Sequence, residues 1–376
     1  MVDYAHVDDL LSPEERAARD RVRAFVEATV QPIIGDYYER GDFPHHLIAP
    51  LAELGLLAEG SEGAVADGLV AQELERGDAA LRSLVSVHVH LAQSAIRFFG
   101  TPEQQRRYLP AMARGDTIGA FALTEPQHGS DPGAMETEAI AVADGYVLRG
   151  HKRWATNGTM AGLLVIWARC QGDICAFVVE PGTPGLEVRP IERKLSFRAS
   201  VSSEVLLHEC RLPAEALLPD ARGLGTALRC LNEARYSIIW GAVGSAEACF
   251  EAALTYAGQR QQFGRPVAGF QLTQAKLADM YSALVQMKLL ALHLGRLKDQ
   301  GRLHHSHVSL GKRANVRAAL EIARTARTIL GAAGITADYP VMRHAANLET
   351  VLTYEGTEEV HTLSIGRALT GLDAFR

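Results

Sequence analysis

The sequence predicts an α+β multidomain protein. A helical domain covers residues 1–115, an antiparallel β domain 116–222, and a bundle of long antiparallel helices 223–376. Three observations carry this reading. Helix-spaced apolar residues and capping boxes fill the first zone. Short β-branched and aromatic runs, punctuated by Gly, Pro and Asp, fill the second. Helical period with few breakers returns at Gly223 and persists to the end.

In order along the chain, Ser12-Pro13-Glu14-Glu15 joins an N-cap serine, a proline at the first helical position and a glutamate at the third. Leu69 to Leu74 and Leu81 to Phe99 carry helix-spaced apolar residues, broken by Gly77-Asp78, and Thr101-Pro102-Glu103-Gln104 repeats the capping box. The runs YVLRG, LLVIWARC, ICAFVVE, LEVRPI and SEVLLHEC then read as strands of a barrel or sandwich, because no helical segments alternate with them. Stretches 225–258, 271–298 and 308–330 read as long helices.

With 47% apolar and 22% charged residues, the chain has the composition of a globular protein rather than a disordered one. A net charge of −6 with scattered basic residues speaks against a nucleic-acid partner. No apolar run approaches the ~18 residues of a membrane helix. The opening MVDYAHVDDLL has neither the apolar core of a signal peptide nor the arginines of a transit peptide, so a cytoplasmic location is expected. Five scattered cysteines without a C-x-x-C read as free buried thiols. His304, His305 and His307 read as a solvated turn, His88 and His90 as packing or surface residues, and no metal site is expected. No G-x-G-x-x-G, Walker loop or H-E-x-x-H occurs; Gly223-Leu224-Gly225 lacks the third glycine and the βαβ setting.

The stretch LTYEGTEEVH (352–361) holds three glutamates. Glu358 and Glu359 suit the first turn of a helix, where the dipole favours acids. Glu355 lies between Tyr354 and Gly356, outside that turn. From residue type alone it reads as a helix N-cap.

Several long motifs in one order give it another role. AFALTEPQHGSDPGAM (120–135), GHKRWATN (150–157), RQQFGRPVAGFQ (260–271) and YEGTEEVH together resemble the acyl-CoA dehydrogenase family over nearly the whole chain. Within it, QELERGDAALRSLVSVHVHL (72–91), KLSFRAS (194–200), ARYSIIWG (234–241) and the ending IGRALTGLDAF resemble the glutaryl-CoA dehydrogenases. The resemblance implies that the C-terminal zone is a four-helix bundle and that FAD lies between β domain and helices, in a homotetramer. It also implies α,β-dehydrogenation of an acyl-CoA thioester, with Glu355 taking the α proton and flavin N5 the β hydrogen as hydride.

Residue by residue, the resemblance implies flavin contacts from Phe121, Leu123, Thr124 and Ser130 in the first motif and from Trp154 and Thr156 in the second. Arg260, Phe263 and Gln271 correspond to a segment that reaches a partner subunit's FAD, Gly331 and Gly334 to a further FAD loop, and Thr357 to the EGT motif. In LGAAGI, alanines stand where the family often has a glycine and a polar residue. Arg235 corresponds to an arginine near the base, whose alternative is a helix-surface ion pair, and Trp154 reads alternatively as core packing.

The same resemblance gives Arg82 and Ser83 the distal carboxylate of a glutaryl group, with Glu75 and Tyr354 shaping the fate of the intermediate, and Ser130 a share in substrate binding. A guanidinium in a closed acyl pocket suits a dicarboxylic acyl group better than a fatty chain, because an unpaired buried cation is costly. The alternative is a surface pairing of Arg82 with Asp78 or Glu75. Oxidation of glutaryl-CoA gives glutaconyl-CoA, which can lose CO2 to give crotonyl-CoA. Segment 56–70 is shorter than the family's loop at the acyl pocket, so another short acyl-CoA or a carrier-protein thioester stays open, as do a flavin oxidase or monooxygenase and a non-catalytic scaffold. The electron-transferring flavoprotein is the electron acceptor implied by the family.

Overall fold

The computed structural model describes residues 3–60 and 63–375. Two residues of segment 56–70, Ser61 and Glu62, lie outside the described residues.

Helices come first: α1 (Pro13–Phe25), α2 (Gln31–Arg40), α3 (Ile48–Glu53), α4 (Ala64–Gly77), α5 (Ala79–Val85), α6 (Ser94–Phe99) and α7 (Pro102–Ala113). Both capping boxes form, Ser12 with Glu15 and Thr101 with Gln104. The Gly77-Asp78 break separates α4 from α5, with Asp78 capping α5 through the Ala80 amide at 2.9 Å. Between α5 and α6 the helix loosens into a π-helical segment, Ser86–Gln93.

The sheet comprises β1 (Gly119–Ala122), β2 (Glu138–Val142), β3 (Gly145–Thr156), β4 (Leu163–Cys170), β5 (Asp173–Val179), β6 (Leu186–Pro190), β7 (Ser202–Pro213) and β8 (Leu217–Arg222). Its order is β6-β7-β3-β2-β4-β5-β8, with β1 beside β4. Pairing is antiparallel except that β4 runs parallel to β1 and β2. The turn at Gly158–Met160, between β3 and β4, sends β4 back along the direction of β2. LLVIWARC is an unbroken apolar run because β4 is covered on both faces. Val165 and Trp167 pack in the layer that contains Leu91, Ile96 and Leu231, while Ile166 joins Leu148, Phe177 and Val205.

The chain then forms α8 (Leu224–Gln259), a hairpin of β9 (Gln261–Gln262) and β10 (Arg265–Pro266), α9 (Gln271–Asp299), α10 (His305–Leu330), α11 (Val341–Thr353) and α12 (Glu358–Thr370). Helices α8 to α11 share one apolar core. Helix α4 crosses α8 so closely that only glycine fits. A Cβ at Gly244 would stand 1.9 Å from the Gln72 carbonyl oxygen, and one at Gly241 would stand 2.3 Å from Glu75 Oε2.

All five cysteines are free and buried. His88 is fully buried and bonded to Met112 O and the Gly119 amide, whereas His304 and His305 are exposed at the start of α10. Among the described residues no helix is long and apolar enough to cross a membrane, and no group of three His, Cys, Asp or Glu side chains is placed to hold a metal.

Candidate active site

The backbone between α11 and α12 makes an uncommon turn. Glu355 adopts φ 51°, a left-handed conformation that is costly for a non-glycine residue, and Gly356 continues it at φ 100°. A Cβ on Gly356 would meet His361 Nε2 at 2.9 Å, so glycine is required twice over. Thr357, not Glu355, caps α12, accepting from the Val360 amide at 3.3 Å, with Glu358 and Glu359 in the first turn. The N-cap reading of Glu355 is thereby excluded. The residue is half-buried, yet its Oε2 is fully buried and has no hydrogen-bond partner. Burial pushes its carboxyl above the usual carboxylate range, against the opposing pull of Arg82, Arg235 and Lys312.

Arg235, on α8, donates from Nε to the Glu355 carbonyl at 2.6 Å and from Nη1 to Asn232 at 3.3 Å. It anchors the turn and, among the described residues, pairs with no carboxylate on the helix surface. Tyr354 packs edge-on against Phe197, with ring centroids 5.6 Å apart, and its hydroxyl accepts from Arg82 Nη2.

Arg82 is 1% exposed, so a surface pairing is ruled out. Its Nε donates to Glu75 Oε2 at 2.7 Å, and the other Glu75 oxygen accepts from Ser245 at 3.2 Å. Asp78 faces elsewhere, toward Arg343 at 3.0 Å. The cation is therefore already paired with a carboxylate, which corrects the premise that only a substrate would neutralise it. Its Nη1, however, is buried without a partner.

Beside Arg82 lies a cavity of about 210 Å³, walled by Leu56, Val70, Leu74 and Val85, with Arg82 and Ser86 among its polar groups. Ser83 is buried but does not line it; Ser86, one turn on from Arg82, does, and accepts from Ser237 Oγ at 3.0 Å. The cavity reaches Arg82 but not Tyr354 or Glu355. The Arg82–Tyr354 contact links the cavity to the turn that carries Glu355. Gln93, in the π-helical segment, donates to the Leu57 carbonyl at 2.7 Å and ties the start of segment 56–70 to the same wall.

At the β domain, Phe121 and Leu123 are buried, and the Phe121 ring packs 5.7 Å from Trp167, which leaves its backbone rather than its ring for a ligand. Thr124 and Thr156 are half-buried and Ser130 is exposed. Trp154 is 54% exposed at φ 65°, in a register shift of β3 against β7 between Lys152 and Ala155. Core packing is excluded for this indole. Bulges re-aim side chains next to binding sites, and this one turns a large aromatic face outward. The Arg153 amide donates to Thr124 O at 2.8 Å, joining the two β-domain motifs. An exposed indole beside small hydroxyl side chains fits a flat, polar-edged tricyclic ring.

Beneath them sits an ion pair that motif reading missed. Lys152 Nζ, fully buried, donates to Glu125 at 2.8 Å and to Leu123 O at 3.0 Å. Burial draws the lysine down to about 8 despite Glu125. Burial would raise the Glu125 carboxyl, but the Glu136 amide and Lys152 hold it down to about 2.

Arg260, Phe263 and Gln271 stand apart from this centre. Phe263 is 94% exposed at the tip of the β9–β10 hairpin, stacked edge-on against Phe270. Arg260 and Gln271 flank it and are exposed, Gly331 ends α10 at φ 62°, and Gly334 is buried. The residues brought together in one chain are Glu355, Arg235, Tyr354, Arg82 and Glu75, with Lys312 beside them. Lys312 was legible as a lysine on the apolar face of α10, in line with Val308, Val316 and Ala319.

Comparison with known proteins identifies the family of the whole chain. The acyl-CoA dehydrogenase N-terminal domain family matches residues 12–116, the middle domain 120–210 and the C-terminal domain 221–370. The crystal structure of a glutaryl-CoA dehydrogenase from Mycobacterium smegmatis is 55% identical, covers 98% of this chain and 97% of its own, and superposes with a TM-score of 0.96. A second glutaryl-CoA dehydrogenase structure from that organism, in complex with FADH2, is 45% identical over 100% of this chain and 99% of its own, with a TM-score of 0.98. An acyl-CoA dehydrogenase of Bacillus subtilis (strain 168) is 36% identical over 96% of this chain and 99% of its own length. With all three domain families matched in order, the chain belongs to the acyl-CoA dehydrogenase family.

Proposed function

We propose that this enzyme oxidises glutaryl-CoA at its α,β bond and decarboxylates the product to crotonyl-CoA, with Glu355 as base and FAD as cofactor. Bound FAD would supply the acceptor for the β hydrogen, which leaves the substrate as hydride. Trp154, Thr124, Thr156 and Ser130 would hold its ring system, with the backbone at Phe121 and Leu123. Arg260, Phe263, Gln271, Gly331, Gly334 and the Thr357 region would serve its extended part, the first three across a subunit boundary in a homotetramer. The hairpin that projects Phe263 into solvent supports that last assignment. Domains divide at 1–115, 116–222 and 223–376, the location is cytoplasmic, and an electron-transferring flavoprotein collects the electrons.

Glu355 removes the α proton. Its raised affinity for protons suits it to accept one from a weakly acidic carbon. Tyr354 and the buried setting keep water from the carboxylate. The observation that carries the substrate assignment is the charge balance around it. If Glu355 and Lys312 cancel, whether both charged or both neutral, Glu75 offsets Arg82, and Arg235 is bonded, among the described residues, only to neutral oxygens, the Glu355 carbonyl and Asn232. One positive charge is left over, and the buried Arg82 Nη1 lacks an acceptor. A distal carboxylate supplies one charge and one acceptor, with Ser86 as a second donor. A plain acyl chain supplies neither. After oxidation, the distal C–C bond breaks with its electrons moving into the thioester conjugation; CO2 leaves and the remaining dienolate takes up a proton.

The test is a panel of CoA thioesters with a dye acceptor, followed for turnover and released CO2. Glutaryl-CoA turnover with one CO2 per cycle is expected. Preference for butyryl-CoA without CO2 sinks the substrate assignment, and turnover with oxygen alone favours a flavin oxidase.

A further inference from the structure

We propose that Lys312 is a positioning residue for this reaction: its ammonium pins the carbonyls on either side of Glu355 and sets the charge environment of the base. The proposal rests on the reading of Glu355 as the base.

Lys312 lies on α10 and is 1% exposed. Its Nζ donates to the carbonyl of Tyr354, before Glu355, and at 2.6 Å to that of Gly356, after it. The carbonyl of Glu355 itself accepts from Arg235. Three successive carbonyls of a left-handed turn are thus held by two cations on two helices. Buried carbonyls need donors, but a neutral amide or a water would satisfy them. A buried ammonium is a costly way to do so unless its charge is used. Its hydrogen bonds go to neutral carbonyls, and Glu355 is the acid whose charge acts on it.

Arg82 and Arg235 also pull on the charge of Glu355, but each is tied elsewhere. Arg82 on α5 is shared with Glu75 on α4, and Arg235 on α8 is tied to a carbonyl. Desolvation raises the pKa of the partly buried Tyr354, so it stays neutral. His361 on α12 bonds Ser309 at 3.0 Å, and burial first, then Lys312 and Arg235, draws it down to about 3, so it carries no charge near neutrality. Burial lowers the affinity of Lys312 for its proton and raises that of Glu355, so the two move toward each other.

The experiment compares Lys312→Gln, which keeps a donor but no charge, with Lys312→Arg, which keeps the charge. Flavin bleaching by acyl-CoA is followed across pH in rapid mixing, with FAD content recorded for each holoenzyme. In Lys312→Gln, bleaching at pH 7 should fall about tenfold or more and its acid limb should move to higher pH, because a cation favouring the carboxylate is gone. Lys312→Arg should keep the limb near its original position. An unmoved limb in Lys312→Gln, or an equal displacement in both variants, overturns the proposal. Glu355→Gln runs in parallel: if it is inactive while the Lys312→Gln limb stays put, only the lysine's role fails. Bleaching that survives in Glu355→Gln overturns the base assignment and this inference with it.

Discussion

Replacing Arg82 by Met tests the substrate reading, provided Glu75 is changed with it. Glu75 is fully buried, and its salt-bridge partner is Arg82. Removing the arginine alone leaves a buried carboxylate without its cation, at a cost of about 3–5 kcal/mol. That is a large share of the ~5–15 kcal/mol that holds a domain together. Lost activity would then report unfolding. The double variant Arg82→Met/Glu75→Gln removes both charges, and Ser245 still has a polar partner. A hydrogen bond to a charged group contributes about 1.5–3 kcal/mol. Loss of one such contact to a distal carboxylate lowers kcat/KM for glutaryl-CoA by about 10- to 150-fold, at 1.36 kcal/mol per tenfold. Butyryl-CoA, with no carboxylate to lose, should change several-fold at most. The measured quantity is the ratio of the two kcat/KM values in a dye-reduction assay at matched FAD content. A ratio equal to that of the parent enzyme would refute the claim that Arg82 reads a carboxylate.

Glu355→Gln should fold and bind FAD, yet lose about 100- to 10,000-fold in flavin bleaching by substrate, the usual contribution of a general base. The wild-type bleaching rate should rise with pH through a midpoint above the ordinary carboxylate range, since Glu355 must be ionised to act and burial holds its proton. The same group makes stability fall as pH rises from the ordinary range to that midpoint, because the folded chain keeps a proton the unfolded chain has released; pH-dependent denaturation of the wild type, compared with Glu355→Gln, isolates this term. Glu125 acts in the opposite sense. Its carboxyl is held down to about 2, so its contribution is present above the ordinary value and lost as pH falls toward 2; Glu125→Gln should flatten the acid side of the denaturation curve. Gly244→Ala should cost about 1–3 kcal/mol in denaturant titration, because its methyl meets the Gln72 carbonyl and α4 must move off α8.

Local signals made much of the fold readable. Ser12 and Thr101 fixed helix starts because a cap is a matter of three neighbouring residues. LLVIWARC was readable as a strand, and the structure explains its unbroken apolar run, since β4 lies within the sheet between two layers. The parallel pairings of β4 were not readable, since strand direction follows from where the chain crosses rather than from which residues it contains. In the site, Glu355 was found through its motif, but its left-handed backbone was only hinted at by the adjoining glycine. The exchange of Ser83 for Ser86 follows from helix phase: Ser86 is four residues from Arg82 and shares its face, whereas Ser83 points some 100° away. The Arg82–Glu75 pair spans two helices, and α8 must contribute Gly241 to make room for it. Such a three-way fit is set by packing that no single stretch encodes.

The wide-turned stretch at Ser86–Gln93 has a consequence for how this chain can diverge. An ordinary helix locks every side chain to one rotational schedule, so the faces before and after any point are bound together. Here the schedule slips between Arg82 and Phe99. The part that meets the cavity beside Arg82 and the part that meets the sheet can each face its own neighbour. Substitutions around Arg82 and Ser86 can therefore retarget the cavity while Ala95, Ile96 and Phe99 stay seated. Deleting one residue within the stretch would restore the common schedule and set the two faces against each other.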